Sequence, residues 1–130
     1  MTSSDQRELM DQALQETCQY GHQLAEVCSK ISEDLRGGKE DEGLKTLSQL
    51  LEGIGWISQA LHMTYPAQLE KNLSINLAEL PETLDPLVRA LGNKDYGLIS
   101  DILTFEVRPL LNKWTSELSN KGESSANVGT

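Results

Sequence analysis

Residues 10–35 read MDQALQETCQYGHQLAEVCSKISEDL. In this stretch Met10, Leu14, Thr17, Gly21, Leu24, Cys28, Ile31 and Leu35 recur in steps that alternate between four and three. Such spacing places them on one stripe of a helix, the pattern of a bundle or coiled-coil seam. The stripe predicts a first helix from about Asp5 to Arg36. Ser3, Ser4 and Asp5 can each cap it, and Asp5 with Glu8 has capping-box spacing. Gly37-Gly38 ends it.

The same periodicity continues outward. A second helix is expected over residues 40–63, opened by Glu40, Asp41 and Glu42, which complement the helix dipole. Its stripe is Leu44, Leu47, Leu51, Ile54 and Leu61, widened by Leu50 and Ile57, and Thr64-Tyr65-Pro66 breaks it. Over residues 67–91, Leu69, Leu73, Leu77, Leu80, Leu84, Leu87 and Leu91 hold one face in phase through Pro81 and Pro86. That phase predicts one proline-kinked helix. After Gly92-Asn93, a fourth helix is expected over residues 95–119, capped by Asn93 or Asp95. Residues 120–130 read as an unstructured polar tail. The fold class is therefore all-α: an antiparallel up-down four-helix bundle over residues 1–119, with a long first helix. At 1.5 Å per residue that helix spans roughly 48 Å against about 36 Å for its neighbours. Its overhang is expected to carry Leu9, Met10 and Leu14, apolar residues that need a cover.

Composition agrees and excludes several classes. The 130 residues are 38% hydrophobic and only 5% aromatic, which suits helix-on-helix packing better than a sheet. A net charge of −9 opposes binding to nucleic acid or to an anionic membrane surface. Cys18 and Cys28, ten residues apart on one helix, stand roughly 15 Å apart and cannot pair with each other. Free thiols, a polar N-terminus and no long apolar run together predict a cytoplasmic protein with no membrane span.

Four constellations bear on function. In DILTFEVRPLLNKW, residues 101–114, Glu106 falls on the apolar stripe and Pro109 removes the helical partner of the Phe105 carbonyl. Three readings follow: a polar ligand site formed by Glu106 and Pro109 with His62 near; a buried Glu106 paired with a Tyr or Trp donor, Arg89 or His62; or a rotated helix that leaves Glu106 in water. Cys18, His22 and Glu26 share one ridge but lack the spacing of a structural zinc site, and the bundle di-iron motif is absent. No metal and no cofactor is expected. Trp56 points away from Leu47 and Ile54, beside Gly53 and Ala60. That is the geometry of an indole anchor on a shallow surface, unless a neighbouring helix covers it. No nucleophile sits near a histidine and no glycine-rich phosphate loop is present, so an enzyme is not expected.

Two runs carry a resemblance: GGKEDEGLKTLSQLLEGIGWISQALHM and LVRALGNKDYGLISDILTFEVRPLLNKWTSEL. Their layout resembles that of bacterial flagellar export chaperones, small acidic helical bundles, over roughly residues 39–118. The charged turn at Asn93 to Asp95 and the late Trp114 are part of the likeness. Pro81, Pro86 and Pro109, and the lack of a tyrosine-rich N-terminal segment, depart from it. The chain is also similar to small uncharacterised bacterial helical-bundle proteins. The resemblance implies a protein-binding role and transfers no site residue. The resulting expectation is a bacterial adaptor or secretion-type chaperone that offers Trp56, Leu9, Met10 and Leu14 to a protein client. The alternatives are a small-ligand or metal-binding bundle centred on Glu106, and a self-associating homodimer.

Overall fold

The structure, a computed structural model, describes residues 3–126 and the side chains of residues 5–119. It is helical throughout, and no strand occurs among the described residues. Helix α1 spans Ser3–Arg36, α2 Glu40–Met63, α3 Tyr65–Glu70, α4 Glu79–Gly92, α5 Tyr96–Ile102 and α6 Arg108–Ala126. A π-helical turn, Leu103–Val107, joins α5 to α6 without a break. None of these helices is long and apolar enough to cross a membrane.

The long first helix is the axis of the fold, since α2, α5 and α6 all pack on it. Its seam is buried as the spacing requires, with Leu24, Cys28, Ile31 and Leu35 inside. Opposite it lie Leu47, Leu50, Ile54 and Ile57 of α2, and Leu103, Leu111 and Trp114 of the last helix. Asp5 falls within the first turn of α1 rather than at its cap. The last helix continues to Ala126, past the expected end at Ser119, and residues 127–130 lie outside the described residues.

The largest departure from expectation is the third helix. Residues 67–91 do not form one kinked helix: they break between α3 and α4. Asn72 adopts φ 56°, and the Leu73 N–H donates to the Gln68 carbonyl at 2.9 Å. This is a Schellman-type stop with asparagine in the left-handed position. Leu73, Ile75 and Leu77 then alternate with exposed Ser74, Asn76 and Ala78, so the chain lays every second side chain on the core. Leucines at 69, 73, 77 and 80 fit helical spacing, whereas 73, 75 and 77 fit a period of two, and the second pattern wins here. Pro81 sits in the first turn of α4, where its missing N–H removes no helical bond, and Pro86 lies inside that helix. The same kind of stop recurs at Gly38 and Lys94, with φ 81° and 54°. Asp95, one of the two expected caps, accepts from the Leu98 N–H at 3.1 Å.

The π-turn answers the question raised by Glu106. It inserts one residue into the helix, about 100° of phase at 3.6 residues per turn. Ile99, Ile102 and Leu103 face the core before it, and Val107, Leu110, Leu111 and Trp114 face the core after it. The inserted residue is accommodated on the outside, so Phe105, Glu106 and Pro109 are all exposed. On the inside, the Ser32 hydroxyl bonds the Ser100 carbonyl at 3.1 Å and the Thr104 hydroxyl at 3.0 Å. Those bonds supply a polar contact where the regular ladder is interrupted.

Candidate functional site

Two glycines let helices approach closely, Gly21 between α1 and α6 and Gly53 between α1 and α2. A Cβ on Gly21 would lie 2.5 Å from Cγ2 of Thr115 on α6, and one on Gly53 would lie 2.6 Å from the Tyr20 hydroxyl. Because Gly53 has no side chain, Tyr20 crosses onto α2. There its ring meets Trp56 edge to face, with centroids 5.3 Å apart and planes at 86°. The indole is held from one side and remains 47% exposed.

Beyond Trp56, toward the start of α1 and the end of α2, the two helices enclose an open hollow of about 680 Å³. Leu9, Met10 and Ala13 form one wall, and Trp56, Ala60 and Met63 the other. Leu9 and Met63 are 52% and 66% exposed. The base of the hollow is hydrogen-bonded. Buried Thr64 donates its hydroxyl to the Ala60 carbonyl at 2.8 Å, and buried Gln68 donates its amide to the Thr64 hydroxyl at 3.0 Å. Ion pairs from α1 to the segment around α3, Arg7 to Glu70 at 3.2 Å and Asp11 to Lys71 at 3.4 Å, fix the outer end. On the other side of Trp56 a second hollow, about 620 Å³, is lined by Glu16, Tyr20, Glu52 and several glutamines.

The expected contact residues therefore separate. Trp56, Leu9 and Met10 line one hollow, although they lie more than forty positions apart in the chain. Leu14 does not belong with them: it is 5% exposed and part of the core, because α1 is partnered along that turn and does not overhang there. Met63 and Tyr20 were not anticipated. The signal for Met63 is the second face of α2, where Trp56, Ala60 and Met63 recur at helical spacing opposite the core stripe.

Of the three readings of Glu106 the structure shows the exposed one, and no polar site forms among Glu106, Pro109 and His62. All three are exposed, Glu106 and Pro109 because of the π-turn and His62 at the solvent face of the last turn of α2. Cys18 and His22 do meet, Sγ to Nε2 at 3.8 Å, while Cys18 also donates to the Thr115 carbonyl at 3.4 Å. Among the described residues no three His, Cys, Asp or Glu side chains are gathered to hold a metal ion. Cys28 is fully buried, and loss of solvation pushes its thiol up to about 12, with Arg108 opposing the rise.

A family model for a domain of unknown function, DUF8042, matches residues 12–117. The chain belongs to the DUF8042 family. The DUF8042 match takes in all of α2 and the α1 wall from Ala13 onward, whereas Leu9 and Met10 precede it. No curated protein and no solved structure matches the chain.

Proposed function

We propose that this DUF8042 protein is a non-enzymatic, cytoplasmic protein-binding bundle, an adaptor or secretion-type chaperone that docks an apolar helical segment of a client. The observation that carries the reading is the hollow between α1 and α2. It collects Leu9, Met10, Trp56 and Met63 around one hollow at the surface. Apolar residues gathered around an indole are the usual anchor of a protein interface. The leucine layout resembling flagellar export chaperones supports the same class. The four-helix, up-down arrangement belongs to this reading as well: α1 supplies the shared axis, and α2 is the helix left with an open flank.

The test is affinity capture from the native host with the wild-type chain and with Trp56→Arg. A stoichiometric partner protein is expected on the wild type and absent from the variant, with both showing the same thermal melt. Capture that survives Trp56→Arg removes the hollow from consideration. A stable dimer of the pure chain, lost in the variant, would replace the client with a second copy.

A further inference from the structure

The two hollows meet at Trp56, and their chemistry differs in a way that specifies a partner. The hollow toward Met63 is apolar. The one toward Gln49 is lined by Gln19, Gln23 and Gln49 together with Glu16 and Glu52, the charged residues of the two linings. Neither carboxylate takes part in an ion pair among the described residues, and Glu16 accepts only a 3.3 Å bond from the Gln12 amide. Two uncompensated carboxylates thus flank the Tyr20–Trp56 pair, an arrangement that attracts a cation through charge and through the aromatic rings. From Gln49 to Met63 the groove follows α2 for about 21 Å, the length of some four helical turns.

We infer that the groove takes a basic amphipathic helix from a partner protein, with apolar side chains filling the hollow between Leu9 and Met63 and a Lys or Arg set between Glu16 and Glu52 against Trp56. The inference rests on the reading of this surface as a protein-docking site and adds the register and charge of the occupant. A second copy of the chain fits poorly. A twofold contact here offers no basic side chain from the groove itself to Glu16 and Glu52, and it brings together two chains that each carry −9.

The test is selection from a displayed library of 15-residue helical peptides on the immobilised full chain, with counter-selection on Trp56→Arg. The library fixes an apolar i, i+3, i+7 frame and leaves the flanking positions free. Enrichment of Lys or Arg about one turn beyond the apolar frame is expected. The selected peptide should then bind Glu16→Gln/Glu52→Gln about tenfold more weakly than wild type, and should weaken similarly in high salt. Both glutamates are exposed, so the double variant keeps its fold. Peptides enriched for the apolar frame alone, with equal affinity for the double variant, overturn the basic partner while leaving the docking surface standing. Failure to enrich any peptide over the Trp56→Arg control overturns both. A concentration-dependent dimer broken by Trp56→Arg assigns the groove to a second copy and overturns the inference.

Discussion

Removing Phe105 from the π-turn should be tolerated far better than removing a residue elsewhere in the last helix. Phe105 is 67% exposed, so its loss takes little apolar surface from the core. Without it, the steps between Ile99, Leu103, Val107, Leu111, Trp114 and Leu118 change from 4, 4, 4, 3, 4 to the strict alternation 4, 3, 4, 3, 4, and both halves keep their buried faces. The main penalty comes from Pro109, which would then sit inside a regular helix, its ring against the carbonyl four residues earlier, at about 3 kcal/mol. Pro109→Ala in the same chain should recover most of that loss. Deleting Asn112 is the contrast. It turns Trp114 and Leu118, 2% and 7% exposed, about 100° out of the core. Losing one buried Trp and one buried Leu costs roughly 5–10 kcal/mol, comparable to the whole stability of a domain of this size. Urea unfolding followed by circular dichroism measures all three proteins. If deletion of Phe105 is as damaging as deletion of Asn112, or if Pro109→Ala restores nothing, then the inserted residue is not what sets the register.

Other outcomes follow from single contacts. Gly21→Ala should cost about 1–3 kcal/mol by overpacking against Thr115, and Thr115→Ser, which removes the opposing methyl, should recover much of it in a double-mutant cycle. Glu106→Gln should shift the urea midpoint by no more than about 0.5 kcal/mol equivalent, because the carboxylate is in water; a large loss of stability would put it back in the core. Iodoacetamide at mildly alkaline pH should label Cys18 and spare Cys28 until the chain unfolds, which mass spectrometry of peptides resolves. Because burial raises the folded Cys28 thiol from 9.0 to about 12, its contribution to stability is complete below pH 9 and declines from there toward pH 12. Cys28→Ala should start less stable but lose less over that window, and an equally steep decline in the variant would show that other groups govern it.

Helices α1 and α2 were legible because their seams are long, continuous and in a single period, and because Gly38 and the acidic turn from Glu40 mark where one ends and the next begins. Asp95 was legible for the same local reason. Trp56 stood out because its neighbours on the helix are small. The third segment was misread because leucine spacing fits a helix on paper until Asn72 turns left-handed, and asparagine is a weaker signal for that turn than glycine. Glu106 kept three readings, of which the exposed one holds, because a single inserted residue leaves no trace in composition or local propensity. Leu14 was misplaced because helix length alone says nothing about which turns have partners.

By itself the sequence determined what depends on nearest neighbours along the chain: an all-helical protein, the stripes that α1 and α2 bury, the Asp95 cap, and the separation of Cys18 from Cys28. Only the tertiary structure decided what depends on distant residues sharing space. It fixed the phase of the last helix, whose π-turn is closed by Ser32 from α1. It sent Leu14 into the core, and it brought Leu9 and Met10 alongside Trp56 and Met63. Local periodicity specifies which side of a helix is apolar, but the helix that covers it is chosen by packing, and an open groove is simply the part of that apolar surface that packing leaves uncovered.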